Sequence, residues 1–120
     1  MFEQMKMMKE LGSLMARKDE LKERVERLKI ELGEKSVEAE AAGGIVRVTV
    51  NGHLKVLEVR FSPTALATTS DSDRAMLEDL TRQAINDAMA KAQAMIKNEI
   101  QKATADLNIP GVENMLPMLN

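Results

Sequence analysis

Cysteine, tryptophan and tyrosine are all missing from this chain, and histidine occurs once. Without cysteine there is no disulfide, no thiolate nucleophile and no zinc–thiolate site, a composition suited to a reducing compartment. Phe2 and Phe61 are the only aromatic residues, too few for the stacking platforms that hold unpaired bases. His53 follows a turn signal, with no local partner for general-base work and no companions for a metal. Long apolar runs are lacking too. Lys6, Lys9 and Glu10 interleave with the N-terminal methionines, so no signal-peptide core forms, and no stretch is long enough to cross a bilayer. The expectation is a soluble cytoplasmic protein with no membrane partner. Nor is charge of one sign in excess: the net charge of −2 argues neither for nor strongly against a polyanionic partner.

What is present is a chain of 120 residues, 30% charged and 44% hydrophobic, sized for one domain with a modest core. From Met7 onward, Leu11, Leu14, Lys18, Leu21, Val25, Leu28 and Leu32 step by alternating threes and fours. That is the seam of an arm helix over about 3–34, with Lys18 intruding where an apolar residue is expected. Glu20 with Arg24, Glu23 with Arg27 and Glu31 with Lys35 are opposite charges four residues apart, each pair adding roughly 0.2–0.5 kcal/mol. Gly33 marks the expected end of the arm. At about 45 Å, such an arm outruns a small sheet, so part of its seam must meet another helix.

The next segment predicts a sheet over about 36–62. Asn51-Gly52 is a strong two-residue hairpin signal, which would set Val50 opposite His53, Val48 opposite Lys55 and Val46 opposite Leu57. A second turn at Gly43-Gly44 would pair Ala41 with Val46, Ala39 with Val48 and Val37 with Val50. Alternation then collects Val37, Ala39, Ala41, Val46, Val48, Val50, Leu57, Val59 and Phe61 on one face. The other face takes Glu38, Glu40, Ile45, Arg47, Thr49, Leu54, Val56, Glu58 and Arg60, with Glu40 across from Arg47. Ser62-Pro63 ends the third strand. Thr64 to Ser70 reads as a connection of small residues with room for one helical turn.

Ser70, Asp71, Ser72 and Asp73 offer N-caps for a second long helix over about 72–106. Its expected buried stripe is Leu77, Leu80, Ala84, Ala88, Ala92, Met95 and Ile96. Residues 108–120 carry two prolines and a glycine and read as a mostly irregular tail. The predicted fold class is therefore α+β: a long N-terminal helix, a three-stranded antiparallel meander and a long C-terminal helix, one domain over 1–107. Two sheet edges, a half-apolar second face and an unmatched arm seam together predict an intertwined or tweezer-like homodimer. Leu21, Val25, Leu28, Ile45, Leu54 and Val56 are the candidate interface residues.

Four blocks carry a family resemblance. They are Gly43-Gly44-Ile45-Val46-Arg47-Val48-Thr49-Val50-Asn51-Gly52, Val59-Arg60-Phe61-Ser62-Pro63, Met76-Leu77-Glu78-Asp79-Leu80 and Ala84-Ile85-Asn86-Asp87-Ala88. With the methionine-rich opening, Met1-Phe2 and Met5 to Met8, the chain resembles the YbaB/EbfC family of bacterial nucleoid-associated proteins over nearly its whole length. The resemblance implies a homodimer with protruding helices, double-stranded DNA as partner, a place in the cytoplasm at the nucleoid, and a role in nucleoid organisation and gene regulation. It implies no catalytic activity, and no catalytic, metal or cofactor-binding residue is assigned; no small-molecule substrate is expected.

Duplex affinity comes mainly from lysine and arginine meeting phosphates. The candidates are Lys6, Lys9, Arg17, Lys18, Lys22 and Arg24 on the arm, and Lys91, Lys97 and Lys102 on the last helix. Taken alone, these cations alternate with acids and read first as ordinary solvated helix faces; the case for DNA rests on the family likeness more than on charge. Lys18 is compatible both with a cation aimed at phosphate and with a polar residue that sets the seam register. Glu38, Glu40 and Glu58 are expected to pair with Arg47 and Arg60 rather than form a carboxylate site. A different class of function remains open: a prefoldin-like chaperone or a protein–protein adaptor, using Met1, Phe2, Met5, Met7, Met8 and Leu11 as an adaptable apolar tip.

Overall fold

The computed structural model of the chain describes residues 4–6, 9, 12, 17–67 and 70–105. Helix α1 spans Lys18–Glu34, strands β1, β2 and β3 span Ser36–Ala41, Val46–Asn51 and Val56–Phe61, a short α2 spans Pro63–Leu66, and α3 spans Asp71–Thr104. The strands form one antiparallel sheet in the order β1-β2-β3. This is the expected α+β plan. Of the predicted arm, residues 1–3, 7–8, 10–11 and 13–16 lie outside the described residues, as does the 108–120 tail.

Helix α3 begins where the acids predict. The Ser70 hydroxyl accepts the Asp73 N–H at 3.2 Å, and Asp71 and Asp73 occupy the first turn, where the helix dipole favours negative charge. No proline or glycine interrupts the next 34 residues, about 51 Å of helix. Its alanine stripe sets how near the sheet can come. Ala84, Ala88 and Ala92 are fully buried against Val46, Val48 and Val50, with Ala39 and Ala41 of β1 completing this core. Side chains this small let helix and sheet approach closely, leaving little slack for a larger residue.

The β1–β2 register matches the sequence expectation pair for pair, Ala41 with Val46, Ala39 with Val48, Val37 with Val50 and Glu40 with Arg47. The connecting turn holds Ala42, Gly43 and Gly44 at φ 53°, 68° and 97°, conformations that glycine adopts without steric penalty.

The β2–β3 hairpin corrects the sequence reading. Val46 pairs with Phe61, Val48 with Val59 and Val50 with Val56, and a bulge beside Thr49/Val50 leaves Leu57 as the extra residue. Asn51-Gly52 is therefore not a two-residue turn. The side-chain oxygen of Asn51 accepts the His53 and Lys55 N–H groups at 2.9 and 3.1 Å, and Leu54 takes the left-handed conformation at φ 60°. An asparagine side chain that caps two backbone amides replaces the tight turn with a longer loop. Gly52 serves a different purpose: its N–H points at the Leu32 and Lys35 carbonyls, 2.9 and 3.1 Å away.

One further correction follows from packing. Ile45 and Leu54, placed by alternation on the second face, lie in connecting turns and are half-buried against the core; strand alternation does not govern turn residues. Helix α1 ends at Glu34, one residue past Gly33; the missing side chain of Gly33 lets the His53 ring lie where a Cβ would sit 2.8 Å from Nε2.

A second cluster joins the helices. Leu28 and Leu32 of α1 are buried against Ile96 and Ile100 of α3, with Leu54 and Ala103 beside them. The arm seam thus meets the C-terminal half of α3, and α3 itself lies over β1 and β2. Strand β3 is left uncovered. Val59 and Phe61 are each 38% exposed and Leu57 56%, although alternation puts them on the face that α3 covers elsewhere.

Candidate nucleic-acid interface

The sequence candidates on the arm are held by a well-defined base. Three hydrogen bonds join α1 and the following Lys35 to the β2–β3 loop: the Gly52 N–H to the Leu32 and Lys35 carbonyls, and the His53 side chain, whose Nε2 donates to the Lys29 carbonyl at 2.7 Å. On the side of α1 that meets α3, Lys35 pairs with Glu99 at 2.7 Å instead of the predicted partner Glu31. That ion pair and its hydrogen bond hold the Glu99 carboxyl below the ordinary glutamate range against the opposing effect of burial.

From this base the cations divide into paired and unpaired. Arg24 meets Glu20 and Arg27 meets Glu23, each at 3.1 Å, as the spacing predicts. Lys18 and Lys22 are exposed and form no ion pair with another described residue, and the same holds for Arg17 and Lys97. Lys91 bonds the Glu38 carbonyl at 3.1 Å, and Lys102 lies 3.9 Å from Glu99. Lys6 and Lys9 are exposed. The candidates therefore do not converge on one spot; they are distributed along two helices. Such a spread suits contacts to an extended polyanion better than capture of a small ligand.

The sheet face away from α3 is electrically closed. Arg47 lies 3.3 Å from Glu40 and 4.0 Å from Glu38, and Arg60 is bonded to Glu58, the pairing expected from the sequence. Of the interface candidates, Leu28 is buried within its own chain, and Ile45 and Leu54 are half-buried there. Leu21 and Val25 are half-exposed on α1 and Val56 is 41% exposed. The open apolar surface that sequence reasoning missed is the strip Leu57, Val59 and Phe61. Alternation had assigned those residues to the core, and nothing local in the sequence says that α3 stops short of β3. For the chaperone reading, Met5 is exposed, whereas Met1, Phe2, Met7, Met8 and Leu11 lie outside the described residues.

The fold and its charge pattern define a class: a small α+β protein with a helical arm braced on a three-stranded sheet and cations spread along its helices. The chain matches the YbaB/EbfC DNA-binding family over residues 5–107 and belongs to it. A nucleoid-associated protein of Moorella thermoacetica is 38% identical over 106 residues, covering 88% of this chain and 92% of that one. Nucleoid-associated proteins of Anaeromyxobacter sp. and Legionella pneumophila are 40% and 38% identical, covering 82% and 83% of this chain and 93% and 86% of theirs. The crystal structure of an uncharacterized Helicobacter pylori protein shares the fold, with a TM-score of 0.54, 20% identity, and coverage of 67% of this chain and 89% of that one. The family is defined by DNA binding, not by a catalysed reaction. Among the described residues no helix is long and apolar enough to cross a membrane.

Proposed function

We propose that this protein is a nucleoid-associated protein that grips double-stranded DNA as a homodimer, through backbone contacts from its helical arms, at the nucleoid in the cytoplasm. The observation that carries the reading is membership of a DNA-binding family over residues 5–107. The exposed cations on α1 and α3 that form no ion pair among the described residues, Lys18, Lys22 and Lys97, support it, since a lysine already held by a carboxylate gives less to a phosphate. Residues 1–107 act as one unit in this reading, with 108–120 as an appended tail.

The dimer is supported by surface that one protomer leaves open. Strand β3 is an edge among the described strands, and its Leu57, Val59 and Phe61 form an uncovered apolar strip. An edge strand with an apolar flank is a liability that a second copy removes. Leu21, Val25 and Val56 border on the same requirement, while Leu28 already has partners in its own chain.

The test is duplex binding by the purified protein across a salt series with two unrelated sequences. A grip on the backbone gives affinity that falls with salt at a log–log slope of about −0.9 per phosphate contacted. Equal affinity for both sequences marks a packing function in nucleoid organisation, and unequal affinity a role in gene regulation. No binding at low salt overturns the proposal.

A further inference from the structure

Helix α1 is electrically two-sided, and its two flanks do not end in the same place. At about 100° per residue, Lys18, Lys22, Lys29 and Gly33 fall within one sector of roughly 60°, beside the buried Leu28 and Leu32. No acid lies inside that sector; Asp19 and Glu26 border it, and Glu26 reaches Lys29 at 3.7 Å. The opposite flank carries Glu20, Glu23, Glu31 and Glu34, with Arg24 and Arg27 each held by a glutamate at 3.1 Å. One side of the arm thus offers lysines, of which only Lys29 is shared with a described acid, Glu26 at 3.7 Å, and the other offers acids and arginines held more closely at 3.1 Å.

The lysine flank runs directly into the β2–β3 loop. Gly33 is its last member, and the His53 ring occupies the space above it. His53 Nε2 bonds the carbonyl of Lys29, which is itself part of the flank. Lys55, two residues on, is exposed and forms no ion pair with another described residue. This loop is not a loose appendage. Asn51 holds the His53 and Lys55 amides, and Gly52 bonds the end of α1 twice. Loop and helix base therefore form one rigid surface, and the loop's cation is presented at a fixed place relative to the flank.

We infer that Lys18, Lys22, Lys29 and Lys55 make one continuous phosphate-tracking edge, with His53 as the positioning residue that fastens the loop to the helix, and that the Arg24–Arg27 flank faces away from DNA. The inference rests on the DNA-binding reading and narrows it to a side of the arm, adding Lys29 and Lys55 as contacts. From Lys18 to Lys29 the helix rises about 16 Å, a length over which one DNA strand presents roughly five phosphates. Three lysines spread over that distance match a backbone track rather than a single anion pocket.

The experiment compares salt-dependent duplex binding by the full chain and three variants: Lys22→Gln with Lys29→Gln, Lys55→Gln, and Arg27→Gln. Neutral glutamine keeps helix propensity close to lysine, and circular dichroism with sedimentation checks that fold and assembly are unchanged. For each protomer on the DNA, the double variant is expected to shallow the log–log salt slope by about 1.8 and Lys55→Gln by about 0.9, twice those values when both arms of a dimer engage. Arg27→Gln is expected to leave the slope unchanged. If the unsubstituted protein binds but Arg27→Gln moves the slope as much as the lysine variants do, or the lysine variants do not move it, the edge is wrong and the DNA-binding reading stands. If the unsubstituted protein does not bind, the DNA-binding reading fails and takes the edge with it.

Discussion

Gly52→Ala is predicted to be the most damaging single-methyl addition in the described part of the chain. A Cβ at this position would lie 2.3 Å from the Leu32 carbonyl oxygen and 2.8 Å from both Leu32 C and Cβ. Helix backbone cannot yield as a flexible side chain would, so the loop must lift away from α1. Overpacking of this kind costs typically about 1–3 kcal/mol. Lifting also breaks the Gly52 N–H bonds to Leu32 and Lys35, adding about 1 kcal/mol. The sum is about 2–4 kcal/mol, a large part of the roughly 5–15 kcal/mol by which domains are stable. Urea denaturation at fixed protein concentration reads this directly, as a midpoint lowered by roughly 1–3 M for an m value near 1.5 kcal/mol/M. The control is Gly43→Ala, where φ is 68° but nothing lies within 4 Å; it carries only the left-handed backbone penalty of about 1 kcal/mol. A Gly52→Ala variant no less stable than Gly43→Ala would refute the close-approach argument, because a glycine needed only for turn conformation would behave like Gly43.

Three other expectations concern the core, the open strand and pH. Ala88→Leu forces three extra carbons between α3 and the fully buried Val46, Val48 and Val50; a loss of about 1–3 kcal/mol is expected in the same denaturation assay. Val59→Lys places a charge in the uncovered β3 strip and is expected to shift sedimentation equilibrium toward the monomer with the circular dichroism spectrum unchanged. The Glu99 carboxyl is depressed by Lys35, so it contributes stability that is fully present above the unfolded glutamate range. That contribution is lost as pH falls through the lower, folded value. Glu99→Gln should therefore flatten the acid side of the stability–pH profile; an unchanged acid limb would show that the Lys35 pair does not matter to folding.

The local elements were legible along the chain, because each is specified by its own neighbours. Steps of three and four wrote the helices, alternating valines and alanines wrote the strands, and Ser70 to Asp73 wrote the start of α3. The Gly43-Gly44 turn even set the β1–β2 register, since a short loop leaves its strands one way to pair. How those elements cover one another was settled by packing between distant parts of the chain. Asn51-Gly52 carried the signal of a tight turn, yet the close passage of α1 above Gly52 required a longer loop and displaced β3 in register. Val59 and Phe61 alternated correctly into the inner face, but α3 is one helix wide and spans two strands, leaving the third exposed. The lysines of α1 had the same spacing whether solvated or functional. The packing of Leu28 and Leu32 against Ile96 and Ile100 fixed the rotation of the helix, and with it the side on which those lysines meet the His53 loop. Periodicity is a property of each segment alone, whereas coverage and orientation depend on distant side chains competing for the same apolar surface.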